Sequence, residues 1–244
     1  MPSIKIRRVK TDTEYICKMD KVLDNPVYNA LCSGDAHLAF GTPTVKYFDE
    51  QVSPFAGFEE TSDGAFAELS QQLPLGRVIF CATRGIISQP KNWLLLHDVE
   101  GLQFVYNGDF GSDYRVDALV PLNSSNAAEM VELANLTKPG PFNLRTIDFG
   151  NYYGIFREGH IVAMAGQRFH PGSYTEISAV CTHPDFLGNG FAASLLKHQV
   201  FLIKKENRTP FLHVRADNSR AIALYERLGF TENGQMNFYV LRRS

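Results

Sequence analysis

A short loop with two glycines, Gly188 and Gly190, constrains the fold of this chain more than any other feature. Residues 174–181, which precede the loop, have the composition of a strand. Residues 187–205, which begin within the loop, have the apolar spacing of a helix. Glycine allows close approach of the backbone to a ligand, and a helix start offers unpaired N–H groups to phosphate. The loop therefore predicts a strand-turn-helix unit that either binds a pyrophosphate or only shapes the turn.

The same loop also fits the dinucleotide fingerprint G-x-G-x-x-A, with Asp217 after the next strand as its ribose-binding acid. That alternative needs a doubly wound parallel sheet to continue. Only 27 residues follow Asp217, and three segments with hairpin-like spacing precede the loop. The sequence therefore disfavours a Rossmann domain.

Residues 113–244 predict nine elements in the order β-α-β-β-β-α-β-α-β. The expected strands are 114–122, 152–157, 160–169, 174–181, 211–214 and 238–241. The expected helices run from a polar cap at 123–126 to Pro139, over 187–205, and over 219–228. This order predicts an α/β domain with a hairpin at its centre.

The turn-rich segment 107–113 is the best candidate for a domain boundary, so we divide the chain into residues 1–112 and 113–244. The first part has short apolar runs broken by Gly and Pro, and one helix is expected at 63–73, which predicts a smaller mixed α/β domain. Some of its aromatic side chains either belong to its core or line an acceptor pocket that this domain covers: Tyr47, Phe55, Phe58 and Trp93.

The composition excludes several classes of function. Lys and Arg number 24 against 26 Asp and Glu, so no positive field favours nucleic acid or anionic lipid. Residues 1–20 lack the apolar run of a secretory signal, and no window has the length of a membrane span, which predicts a cytoplasmic protein. The seven histidines show no metal-ligand spacing, so no metal is expected. The scattered cysteines are expected to be free thiols: Cys17, Cys32, Cys81 and Cys181.

A second motif lies one strand after the glycine loop. The pattern N-x-x-A-x-x-x-Y-x-x-x-G-F occurs at Asn218, Ala221, Tyr225, Gly229 and Phe230. Combined with the loop, this block resembles the GNAT superfamily of N-acetyltransferases, and residues 176–184 resemble its FR47-like branch. The resemblance implies a mixed, mostly antiparallel central sheet flanked by helices. It also implies that residues 1–112 are a smaller α/β domain or a degenerate half of the same fold.

The resemblance implies an acetyl-CoA-dependent N-acetyltransferase, a monomer or homodimer. It would acetylate a primary amine of a small molecule, amino acid or peptide by direct transfer in a ternary complex. The implied coenzyme-binding residues are Ala179, Val180, Cys181, Leu187, Gly188, Asn189, Gly190, Phe191, Ala192, Asn218, Ala221 and Tyr225. The family loop usually begins with Gln or Arg, but this chain has Asp185 there. The alternative is an inactive module that keeps the fold and binds acyl-CoA.

Two side chains are implied to be catalytic. An amine with a pKa near 10.4 is almost fully protonated at pH 7, so about 4 to 5 kcal/mol is needed to free its lone pair, and Glu176 is the candidate base. A backbone N–H near Val180 would stabilise the oxyanion, and Tyr225 would act as general acid toward the CoA sulfur. The alternatives are that Glu176 is only solvated, that Tyr225 only packs in the core, and that Asn218 only caps a helix.

Overall fold

A computed structural model describes residues 21–109 and 119–244 of the chain. Its strands are β1 (Ala39–Gly41), β2 (Val45–Phe48), β3 (Ala56–Phe58), β4 (Val78–Thr83), β5 (Trp93–Tyr106), β6 (Val120–Pro121), β7 (Tyr153–Arg157), β8 (His160–Gln167), β9 (Tyr174–Thr182), β10 (Thr209–Arg215) and β11 (Phe230–Arg243). Its α-helices are α1 (Pro26–Leu31), α2 (Asp63–Gln72), α3 (Ala127–Thr137), α4 (Phe191–Lys205) and α5 (Ser219–Arg227). From β6 onward the order matches the predicted one.

Eight of these strands form one mixed sheet in the order β4-β11-β5-β10-β9-β8-β7-β6. All neighbours are antiparallel except β9 and β10, which are parallel. On β8, Met164 packs with α3 residues and its neighbour Ala165 packs with Leu195 of α4. Because successive strand residues point to opposite faces, helices cover both faces of the sheet. The predicted fold class is confirmed.

The main sheet continues across the boundary predicted near residue 112. Strand β5 lies between β10 and β11 and pairs with both, and β4 pairs with β11. The N-terminal part therefore supplies two strands to the common sheet, and its own three-stranded sheet is β1-β2-β3. The sequence did not indicate this arrangement, because the apolar pattern of a strand does not specify its partner.

The N-terminal elements differ in detail from the prediction. The helix expected at 63–73 is α2, and its N-cap Ser62 accepts a hydrogen bond from the Ala65 N–H. Residues 36–38 form a 3-10 helix, and β1 follows it directly. Phe55, Phe58 and Trp93 are buried in the core. The predictions for residues 1–20, including Cys17, and for residues 110–118 lie outside the described residues.

The last strand is much longer than the predicted 238–241, because β11 spans Phe230–Arg243. Its first half carries polar residues, several of them exposed, and it contains a bulge between Glu232 and Gln235. Exposed polar side chains and a bulge both remove the apolar alternation by which a strand is recognised.

Candidate active site

The candidate site lies where β9 and β10 lose their pairing. These parallel strands pair only over Thr209–Phe211 and Tyr174–Glu176, and Phe211 opposite Glu176 is the last pair. Beyond it, β10 pairs only with β5 and β9 only with β8. The central sheet therefore has a gap between the C-terminal halves of these two strands.

A bulge in β9 borders the gap. Opposite β8, Cys181 pairs with Met164 and Ser178 with Gly166, so Ala179 and Val180 together face one residue of β8. Ala179 has φ 52°, a left-handed conformation that costs a residue with a Cβ about 1 kcal/mol or more. A bulge leaves a residue outside the hydrogen-bond ladder. The bulge at Ala179 and Val180 therefore lies next to the gap, where a backbone group outside the ladder is expected.

The glycine loop follows directly at the end of β9. Gly188 and Gly190 have φ of 85° and 76°, and a Cβ built on either would meet nothing within 4 Å. Glycine is thus required here by backbone conformation and not by crowding within the chain. The Asn189 side chain donates to the Phe186 carbonyl and steadies the loop. The loop ends at Phe191, the first residue of α4, where the orphan N–H groups of the first turn begin.

The gap, the loop and α5 enclose one cleft of about 850 Å³. Every residue predicted to bind the coenzyme lines this cleft except Ala179, which is buried behind it. The C-terminal end of α3 forms a further wall. Three exposed cations that the sequence analysis did not identify also line the cleft: Lys138, Arg220 and Arg227.

Tyr225 both packs in the core and reaches the cleft. Its side chain is buried, and its ring centroid lies 6.3 Å from that of Phe104 and 6.1 Å from that of Phe230. Burial raises the pKa of its hydroxyl to about 12, so the group stays protonated and can donate. The two interpretations given for Tyr225 are therefore compatible. The same holds for Asn218, whose side chain caps α5 by accepting from Ala221 N–H and also lines the cleft.

Glu176 occupies a different environment from the one expected of a base. Its carboxylate is buried and receives two hydrogen bonds from Arg168, at 2.9 and 2.7 Å, and one contact of 2.8 Å from Nδ1 of His213. Burial alone would raise its pKa, but Arg168 and then His213 outweigh that effect and lower it to about 2. The carboxylate is thus ionised, neither solvated nor basic. Glu176 is not among the residues that line the cleft.

The partners of Glu176 were missed by sequence reasoning. Arg168 and His213 lie on either side of it in the sheet, eight and 37 positions away in the chain. No local motif links residues so far apart. The sequence did contain one signal for such a partner, the histidine within the apolar strand 211–214, because a buried histidine needs a polar partner.

Comparison with known proteins agrees with this geometry. The family model of FR47-like proteins matches residues 152–240. A GNAT-family protein from Novosphingobium aromaticivorans DSM 12444 is 31% identical, with a TM-score of 0.85 over 91% of this chain and 99% of that one. A GCN5-related N-acetyltransferase from Kribbella flavida shares the fold, at 14% identity and a TM-score of 0.61 over 88% of this chain and 93% of that one.

The [Ribosomal protein bS18]-alanine N-acetyltransferase of Escherichia coli (strain K12) is 43% identical over 54 residues. That segment covers 22% of this chain and 36% of that relative. The fold is that of an acyltransferase. The chain belongs to the GNAT family, in its FR47-like branch.

Within residues 21–109 and 119–244, no helix is both long and apolar enough to cross a bilayer. These residues also contain no group of three or more His, Cys, Asp or Glu side chains arranged to hold a metal ion.

Proposed function

We propose that this protein is an acetyl-CoA-dependent N-acetyltransferase that acetylates a primary amine of a small molecule, an amino acid or a peptide. One observation carries the proposal: a single cleft joins the glycine loop before α4, the β9 bulge beside Val180, and Tyr225. A thioester chain that starts at the loop and enters the gap passes all three. The similarity to an alanine N-acetyltransferase over 54 residues supports an amine acceptor.

The phosphates of the coenzyme would lie at the start of α4. Orphan N–H groups and the positive end of the helix dipole favour an anion there. The carboxylate of Asp185 would weaken phosphate binding only slightly, because its side chain is 82% exposed and lies 3.7 Å from His183. Lys138, Arg220 and Arg227 would supply the cations that the loop itself lacks.

Transfer would be direct. The amine nitrogen attacks the thioester carbonyl, a C–N bond forms, and the C–S bond breaks to release CoA. Backbone N–H groups beside Val180 would stabilise the intermediate oxyanion. Among the described cysteines only Cys181 lines the cleft, and burial raises the pKa of its thiol to about 11, so it is a poor nucleophile at neutral pH.

Tyr225 would act on the departing sulfur. Its pKa of about 12 is well above that of a thiol, which is near 8.5. Full transfer of the phenolic proton would therefore be uphill by roughly 4 to 5 kcal/mol. Tyr225 would instead donate a hydrogen bond to the departing thiolate. The proton lost by the attacking nitrogen would pass to the sulfur, so that the products are the amide and the neutral CoA thiol.

A second candidate is a non-catalytic acyl-CoA-binding module, and the acidic residue in the loop is the observation that favours it. Calorimetry with acetyl-CoA, followed by thiol release against a panel of amines, separates the two. Binding with turnover on at least one amine supports the enzyme. Binding without turnover on any amine would favour the module, and absence of binding would contradict both.

A further inference from the structure

We infer that Glu176 and His213 form a side-chain clasp across β9 and β10 that sets the width of the gap for the thioester. The inference rests on the proposed function and assigns both residues a positioning role. Neither residue lines the cleft, so neither is expected to touch the substrate.

The clasp lies where the backbone pairing of the two strands ends. Glu176 belongs to the last β9–β10 pair, opposite Phe211. His213 is two residues further along β10, on the same face of the strand as Phe211. Its Nδ1 lies 2.8 Å from the Glu176 carboxylate. A side-chain hydrogen bond therefore links Glu176 of the last backbone pair to a residue two positions beyond it on β10, where the two strands begin to diverge.

Both ends of the clasp are anchored to neighbouring strands. On one side Arg168, which follows β8, binds both carboxylate oxygens of Glu176 and also donates its backbone N–H to the Glu176 carbonyl. On the other side Nε2 of His213 lies 2.9 Å from Nε2 of Gln103 on β5. Gln103 in turn donates to the Leu23 carbonyl. Glu176 and His213 therefore cannot shift without moving the strands on either side.

The hydrogen bonds also indicate which nitrogen of the His213 ring carries the proton. The Gln103 amide carbonyl accepts from Arg84 and Asn233, so its NH₂ group faces His213. Nε2 of His213 then accepts, and Nδ1–H donates to Glu176. Each ring nitrogen and each carboxylate oxygen of the clasp thus already has a partner. Such a network is built to hold geometry, and its carboxylate is buried and does not line the cleft.

A second buried histidine–carboxylate pair provides a matched control. His170 and Asp35 are joined at 2.7 Å, and neither residue lines the cleft. The test compares His213→Ala, His213→Asn, Glu176→Gln and Asp35→Asn in the full chain. Asn can present its side-chain N–H close to the position of Nδ1 and is the conservative replacement. The readouts are thermal midpoint, KM for acetyl-CoA, and the pH profile of kcat.

We expect His213→Ala and Glu176→Gln to raise the acetyl-CoA KM by about tenfold or more, with the shape of the pH profile unchanged. His213→Asn should recover most of that loss. Asp35→Asn should lower the thermal midpoint yet leave KM within about twofold of wild type. If His213→Ala does not fold, the comparison of His213→Asn and Glu176→Gln with Asp35→Asn still distinguishes a positioning role from a merely structural one.

Two results would overturn the clasp while leaving the proposed function intact. One is a His213 or Glu176 variant that is destabilised like the control but keeps its acetyl-CoA KM. The other is loss of the acidic limb of the pH profile at unchanged KM, which would identify a base. Wild-type protein that neither binds nor turns over acetyl-CoA would instead contradict the proposed function, and the clasp with it.

Discussion

The Asp35 carboxylate accepts two hydrogen bonds from one residue, His170: from its backbone N–H at 2.9 Å and from its ring Nδ1 at 2.7 Å. Asp35 is 1% exposed. These bonds hold the segment after α1 against the loop between β8 and β9. The contact therefore joins the N-terminal part of the chain to the strand that carries the bulge.

Replacement of Asp35 by Ala should destabilise the protein. It leaves the backbone N–H and the ring Nδ1 of the partly buried His170 without their partner, which costs about 1 to 3 kcal/mol. Urea unfolding measures this loss. The control is Asp217→Ala, whose exposed ion pair with Arg215 should contribute nothing measurable. Equal stability of the two variants would show that the Asp35 contact is dispensable.

The pH dependence of stability should reveal the clasp. The pKa of Glu176 is about 2 in the folded protein, below its ordinary value of 4.5. A lowered folded-state pKa stabilises the protein above pH 4.5, and the contribution is lost as pH falls from there toward 2. The shift corresponds to about 3 kcal/mol. Unfolding measured between pH 7 and pH 2 should be less pH-dependent in Glu176→Gln, and an unchanged slope would contradict the assignment.

The Tyr225→Phe variant should separate the contribution of the hydroxyl group from that of the aromatic ring. The ring packs between Phe104 and Phe230, so its retention should preserve stability and acetyl-CoA affinity. Loss of the hydrogen bond to sulfur should lower kcat by about 10- to 1000-fold. Thiol release under saturating acetyl-CoA measures kcat, and Tyr225→Leu controls for the ring. An unchanged kcat in Tyr225→Phe would leave Tyr225 a purely structural role.

Cys181→Ala tests direct transfer. The thiol lies in the cleft, but its raised pKa keeps it protonated, so its removal should change kcat by less than about threefold. Intact-mass measurement after incubation with acetyl-CoA alone should show no acetylated protein. An acetyl adduct present in wild type and absent in Cys181→Ala, together with lost turnover, would indicate a covalent route instead.

The cleft cations should recognise the phosphates. Arg220→Gln and Arg227→Gln should each weaken acetyl-CoA binding several-fold, by roughly 0.5 to 2 kcal/mol, and reduce its dependence on salt. Acetyl-pantetheine lacks these phosphates, so its binding should not change. Arg215→Gln is the matched control, because that guanidinium pairs with Asp217 outside the cleft. If binding of acetyl-CoA and of acetyl-pantetheine weakened equally, the two arginines would not be recognising the phosphates.

Much of the C-terminal fold was predictable from sequence because its signals are local. Gly188 and Gly190 occupy left-handed conformations that need glycine, and Asn218 caps the helix that carries Tyr225. Each of these features depends on neighbours within a few residues. The element order from β6 onward was predicted from such signals, and the residues predicted to bind a coenzyme, apart from Ala179, line one cleft.

The features that were not predictable depend on distant partners. From the sequence, Glu176 is a candidate base, and only its contacts with Arg168 and His213 show it to be a buried, weakly basic anion. Strand β5 has an ordinary apolar pattern that says nothing about β10 and β11. Side-chain spacing within a strand reports which face is buried, but not which strand lies beside it.

The position of β5 also has a consequence for synthesis. Its partners in the main sheet, β10 and β11, lie more than a hundred residues later in the chain. At translation rates of roughly 5 to 20 residues per second, the neighbouring strands of β4 and β5 are synthesised on the order of ten seconds later. During that interval their edges are open to other nascent chains. This protein is therefore expected to need a chaperone or a low expression rate during the interval before β10 and β11 have emerged.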